Sequence, residues 1–154
     1  MKHSFLMILV FLSLFMSSAS SCNKEDNKID IENHSPMANG KIKINVGSKT
    51  FTATLLDNNT AKAFKEMLPM TIKMTELNGN EKYYDLPNSL PTNSSNLWTI
   101  KNGDLMLYGS KTLVLFYKTF STSYSYTKLG SIDDVTDLAS ALGSGNVSVT
   151  FEVE

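Results

Sequence analysis

No arginine occurs in the 154 residues, and all fourteen basic side chains are lysines. A lysine can hold charge but does not offer the planar fork of donors that arginine presents. Histidine is almost as scarce, with only His3 and His34, and Cys22 is the sole cysteine. Ser-His-Asp or Cys-His catalysis needs an imidazole held beside a nucleophile, and histidine- or cysteine-based zinc sites need several such ligands. Neither can be built from so few. No Gly-rich phosphate loop is present, because Gly143-Ser144-Gly145 follows a predicted helix and reads as its cap and turn. No basic patch stands out against the fifteen acidic residues, which argues against nucleic acid. No metal and no cofactor are expected.

Carboxylates are what remains for chemistry. Asp133, Asp134 and Asp137 form the densest group, and at a predicted helix start they read as capping and dipole compensation. Glu81 beside Lys82 reads as a solvated pair on a hairpin.

The first residues have a different organisation from the rest. Lys2 and His3 supply a positive start, residues 5–16 (FLMILVFLSLFM) an apolar run, and residues 17–21 a string of small side chains. This is the layout of a secretory signal peptide over residues 1–21. About twelve apolar residues make roughly 18 Å of helix, short of a ~30 Å hydrocarbon core, so a membrane span is disfavoured. Ala19-Ser20-Ser21-Cys22 resembles a lipobox, with Ala19 where leucine is usual, and predicts lipidation at Cys22 as the first residue of the mature protein. Acyl chains at ~0.8 kcal/mol per buried methylene would hold it in the membrane. Asn23-Lys24-Glu25-Asp26 resembles a lipoprotein signal for display on the surface of the outer membrane, with a periplasm-facing position as the alternative. Residues 22–40 read as the lipidated cysteine and a flexible tether.

From Lys41 the period becomes two. Ile42, Ile44 and Val46, then Phe51, Ala53 and Leu55, alternate with polar residues on either side of Gly47-Ser48, a strong hairpin pattern. A helix is predicted over residues 58–68, stopped by Pro69, and strands over 70–77 and 81–85. Residues 86–97 read as a long loop, 104–108 and 112–118 as an apolar hairpin, and 124–129 as a further strand. Leu113 to Tyr117 has no polar alternation, so both its faces should be covered. A second helix is predicted over 134–142 and a last alternating strand over 147–153. About eight strands and two short helices suggest a closed or nearly closed barrel, because closure removes the sheet edges.

Several strings in this region resemble the bacterial cyclophilin-like domain family: Gly47 to Leu55, Leu68-Pro69, Glu81-Lys82, Gly103-Asp104-Leu105, Leu115-Phe116-Tyr117 and Tyr126 to Gly130. The resemblance covers residues 41–154. It implies a mainly β fold, a closed eight-stranded barrel capped by two short helices, but no settled activity. True cyclophilins are prolyl isomerases and place an arginine beside the prolyl nitrogen to lower a barrier of about 18–20 kcal/mol. With no arginine here, and with His34 in the tether, the expectation is a binding module for a small molecule, a peptide or a partner protein. A residual isomerase, or a structural subunit of an envelope complex, is the alternative.

The aromatic residues suggest where such a site would lie. Alternation sends Tyr124 and Tyr126 to one face of their strand, flanked by hydroxyl side chains. Rings that carry hydroxyls often line ligand grooves. The interior of an eight-stranded barrel is filled by side chains. The expected site is therefore on the outer face, built from Tyr108, Phe116, Tyr124 and Tyr126, with Trp98 on the adjoining loop, Tyr83 from the next hairpin, and no fixed charge.

Overall fold

Alternation decides the first hairpin. In the computed structural model, which describes residues 40–154, β1 (Lys41–Val46) buries Ile42, Ile44 and Val46 and exposes Lys41 and Lys43. It pairs antiparallel with β2 (Lys49–Leu55) across Gly47-Ser48, where Gly47 takes a φ of +59° that costs a glycine nothing. The signal peptide expected over residues 1–21, Cys22 and the tether up to residue 39 lie outside the described residues.

The chain continues through α1 (Asn59–Lys65), β3 (Met70–Leu77), β4 (Glu81–Asp85), β5 (Ser95–Asn96) and β6 (Thr99–Ile100). It then forms β7 (Asp104–Tyr108), β8 (Thr112–Phe116), β9 (Phe120–Ser121), β10 (Ser125–Ile132), α2 (Leu138–Leu142) and β11 (Val147–Val153). Eight strands close on themselves in the order β2-β1-β11-β3-β4-β8-β7-β10, with β10 returning to β2. Every pairing is antiparallel. The mainly β barrel with two short helices is thus the architecture of the described residues. β5 adds to the start of β10, and β6 and β9 make a separate two-stranded ribbon.

The closing seam depends on one glycine. Gly130 pairs with Leu55 just after β10 shifts register between Lys128 and Gly130. A Cβ there would stand 2.3 Å from the Thr54 carbonyl oxygen and 2.9 Å from Leu55 Cα, both backbone atoms that cannot swing aside. Any side chain at this position would force the seam apart.

Inside the barrel, Ile42, Ile44, Leu55, Met74, Leu105, Leu115, Leu129 and Phe151 are fully buried in one apolar cluster. Each such side chain contributes about 1.5–3 kcal/mol by leaving water. The helices close the two mouths. α1 joins the end of β2 to the start of β3 and sends Phe64 inward to meet Phe151 edge-on at 5.7 Å. α2 joins the end of β10 to the start of β11 and buries Leu138 and Leu142. No helix among the described residues is long and apolar enough to cross a membrane.

Several boundaries differ from the sequence expectation. α1 is capped as expected, with the Asn58 side chain accepting from Ala61 N, but it ends at Lys65 rather than 68. The residue before a proline is pushed out of the helical region, and the last turn loosens ahead of Pro69. α2 begins at Leu138, so Asp133 and Asp134 do not cap it. Asp133 instead accepts from Lys41 and Thr54. Asp134 accepts from Thr136 N, and hydrogen bonds from the Thr136 side chain and backbone hold the Asp134 carboxyl below the usual range. The strand expected over 112–118 stops at Phe116, and the one expected over 124–129 runs from Ser125 to Ile132. The loop over 86–97 contains β5 at its end. Leu113 to Tyr117 is buried throughout, as a run without polar alternation should be.

Candidate functional site

β4 presents two different faces. Lys82 and Tyr84 turn toward the barrel interior, while Glu81, Tyr83 and Asp85 turn outward. On the neighbouring strands the outward residues include Thr112, Val114 and Phe116 of β8, Met106 and Tyr108 of β7, and Tyr126 of β10. A second apolar layer therefore forms outside the barrel wall from Ile100, Met106, Val114, Phe116 and Tyr126. The β6–β9 ribbon supplies Ile100 and Phe120 to this layer.

Beside this layer the outer face carries a cavity of about 410 Å³. Its lining is Leu77, Asn78, Glu81, Tyr83, Asp85, Tyr108, Thr112, Val114, Tyr124 and Tyr126. Tyr126 is 6% exposed and lies between Phe116, edge-on at 5.5 Å, and Tyr108, tilted at 5.5 Å. Tyr124 is 62% exposed and meets Tyr108 edge-on at 6.1 Å. The Tyr126 hydroxyl is pushed up to about 12, by burial first and then by Glu81 and the two neighbouring tyrosines, so it remains a neutral donor and acceptor.

The cavity also contains acid. Glu81 is only 8% exposed, and its carboxyl makes no hydrogen bond or ion pair among the described residues. Burial raises its pKa, and the charge of Glu76 adds to the rise. Asp85 lies four residues along the strand on the same face, beyond Tyr83, and its Oδ1 accepts from the Thr112 hydroxyl at 2.7 Å. Among the described residues no lysine or histidine lines the cavity.

Of the six residues expected at a site, Tyr83, Tyr108, Tyr124 and Tyr126 share this lining. Phe116 does not; it is fully buried under Tyr126 and Phe120. Trp98 does not either. It is 71% exposed on the loop before β6, with a φ of +59°, its carbonyl accepting from Thr122 N. The expectation of a face without fixed charge is overturned by Glu81 and Asp85. Glu81 and Lys82 are also no solvated pair: both are buried, and as strand neighbours they point to opposite faces. The alternation along β4 was available in the sequence, but hydrophilic residues at both positions gave no hint that either would lose water.

On the inward side, Lys82 is completely buried. Its ammonium forms a short charged contact with Glu76 and donates to the carbonyls of Gly143 (2.8 Å) and Gly145 (2.7 Å). It also stands 5.2 Å from the centre of the Tyr117 ring, whose hydroxyl donates to Glu76 at 2.9 Å. Desolvation pushes the Glu76 carboxyl up, but bonds from Lys82, Tyr117 and Gly79 N, with the Lys82 charge, more than offset it and hold it below the ordinary value. Tyr117 is raised to about 12 by burial and by Glu76. A second hollow of about 370 Å³ lies here, lined in part by Glu76, Tyr117 and Gly143. Among the described residues no group of three or more His, Cys, Asp or Glu side chains is arranged to hold a metal ion.

Comparison with known proteins agrees with this architecture. The sequence profile of the cyclophilin-like family matches residues 44–152. The solution structure of a hypothetical protein from Archaeoglobus fulgidus is similar in fold, with 18% identity, a TM-score of 0.56, and coverage of 75% of this chain and 95% of that one. No curated protein matches the sequence.

Proposed function

The chain belongs to the cyclophilin-like family, and on that premise we propose that it is a membrane-anchored binding protein without prolyl isomerase activity. Its ligand, a small molecule or a peptide segment, sits on the outer face of the barrel. The observation that carries this reading is the cavity of about 410 Å³, within the ordinary range for ligand pockets, in which four tyrosines and an unpartnered carboxyl converge. Glu81 turns its carboxyl toward this cavity and finds no donor for it among the described residues.

Isomerisation is disfavoured by the chemistry of the lining. True cyclophilins aim the charged donors of an arginine at the prolyl nitrogen, and among the described residues the cavity offers carboxylates, phenols and an amide but neither guanidinium nor ammonium. The anchor rests on Cys22 and the signal-like residues before it, with the outer membrane surface as the favoured destination.

Titrating the full chain with short peptides and ring-bearing small molecules should shift the backbone amide resonances of residues 81–85 and 124–126. Silence across that set would remove the binding face. A prolyl-peptide isomerisation assay should show no acceleration; acceleration lost on replacing Tyr126 would return the chain to the enzymes. Cys22→Ala should abolish labelling by a fatty-acid analogue and release the protein from membranes. Persistence of the label would refute the anchor.

A further inference from the structure

We propose that the outer cavity is a receptor for a primary alkylammonium group, with Glu81 as its counter-ion and hydrogen-bond acceptor and the tyrosine rings as its walls. This deepens the binding reading above and depends on it.

Glu81 is the starting point. A carboxyl taken out of water is costly unless a donor or a cation meets it. Glu76, on the other side of the same hairpin, has Lys82, Tyr117 and Gly79 N as partners. Glu81 is more than nine-tenths buried as a residue and has no such partner among the described residues, so its oxygens meet only the solvent of the cavity. Its sequence neighbour Lys82 cannot serve, because it faces inward and its donors are already engaged. The missing partner must come from the cavity that Glu81 lines.

The surroundings define its chemistry. Asp85 adds a second carboxylate four strand residues away, ~13 Å, and one of its oxygens is already occupied by Thr112. With no cation in the lining among the described residues, the fixed charges there are of one sign. Tyr108 stands between Tyr124 and Tyr126, at interplanar angles of 85° and 52°, so the rings form walls in different planes. Aromatic faces attract cations, more strongly as water is excluded. Leu77 and Val114 provide an apolar surface for a carbon chain. A primary ammonium brings three N–H donors to Glu81, whereas a quaternary one brings none and would leave the carboxyl unmet. Its source could be a free amine or the side chain of a peptide lysine, which share this chemistry.

The test titrates the full chain with butylammonium, 1-butanol, tetramethylammonium and an amide-blocked lysine, read by amide shifts at Glu81, Tyr83 and Tyr126. Butylammonium is expected to bind at least about tenfold more tightly than 1-butanol and than tetramethylammonium. Glu81→Gln should raise the butylammonium Kd about tenfold and leave that of 1-butanol unchanged. Should that variant fail to fold, Tyr124→Ala, at an exposed position, should weaken the amine selectively. Blocked lysine binding as tightly as butylammonium supports the proposal with a peptide as the source, and weaker binding supports it with a free amine. Equal affinity for butylammonium and 1-butanol would overturn the ammonium assignment and leave the binding face intact. Equal affinity for tetramethylammonium would overturn the role of Glu81 as acceptor. Absence of any amine shift, while the peptides or ring compounds of the preceding test do bind, would overturn it as well.

Discussion

Glu76 and Glu81 flank the same turn, one at the end of β3 and the other at the start of β4, and the fold treats them in opposite ways. At the barrel mouth, Glu76 is bound by Lys82, Tyr117 and Gly79 N, and its pKa is held down. On the outer wall, Glu81 is buried among tyrosines without a donor, and its pKa is raised. One region has a buried cation whose every contact is made; the other has a buried acid with an open place beside it. Polar groups that are matched within the chain hold structure together. An unmatched one that persists beside a cavity indicates a role outside the fold.

The largest effect should come from breaking the matched side. Glu76→Gln leaves the Lys82 ammonium buried without its counter-ion, at an expected cost of about 3–5 kcal/mol in thermal or urea denaturation. Lys82→Met should cost less, because the Glu76 side chain is 19% exposed and can turn to water. The reverse order would mean that the Gly143 and Gly145 carbonyls, not the ion pair, dominate that mouth.

Next comes the floor of the cavity. Tyr126→Ala removes a buried ring from between Phe116 and Tyr108 and should cost about 3 kcal/mol. A loss under about 1 kcal/mol would show that the outer layer adds little to stability.

Glu81→Gln should move stability the other way, raising it near neutral pH. The sign follows from the two shifts. The raised folded pKa of Glu81 gives a contribution that is present below the ordinary value of 4.5 and lost as pH rises through the folded value. The lowered folded pKa of Glu76 gives one that is present above 4.5 and lost as pH falls through the folded value. Melting temperatures from about pH 3 to about pH 8 should therefore show Glu81→Gln gaining on the native chain only above the ordinary carboxylate range. A gain independent of pH would detach it from ionisation.

The smallest effect belongs to Tyr124→Ala. At 62% exposure the ring should change stability by no more than about 0.5 kcal/mol, while still weakening amine binding. A large loss of stability would make Tyr124 part of the outer core rather than a wall of the site.

The amino-acid sequence by itself determined the barrel. Period-two patterns in Ile42–Val46, Phe51–Leu55 and Val147–Val153, and turns at Gly47-Ser48, Asn78-Gly79 and Gly109-Ser110, specify strands and hairpins through local backbone preference and amphipathicity. Tyr83, Tyr108, Tyr124 and Tyr126 could be assigned to one side of the wall because alternation along a strand is a local property. The length of α2, the burial of Phe116 and the displacement of Trp98 from the lining could not be read in this way, since each depends on what packs above the strand. Only the tertiary structure decided the fates of Glu81 and Lys82. Two adjacent hydrophilic residues look equally suited to water, and which loses it depends on the layers that close over each face: α2 and the Gly143–Gly145 turn on one side, the tyrosines of distant strands on the other.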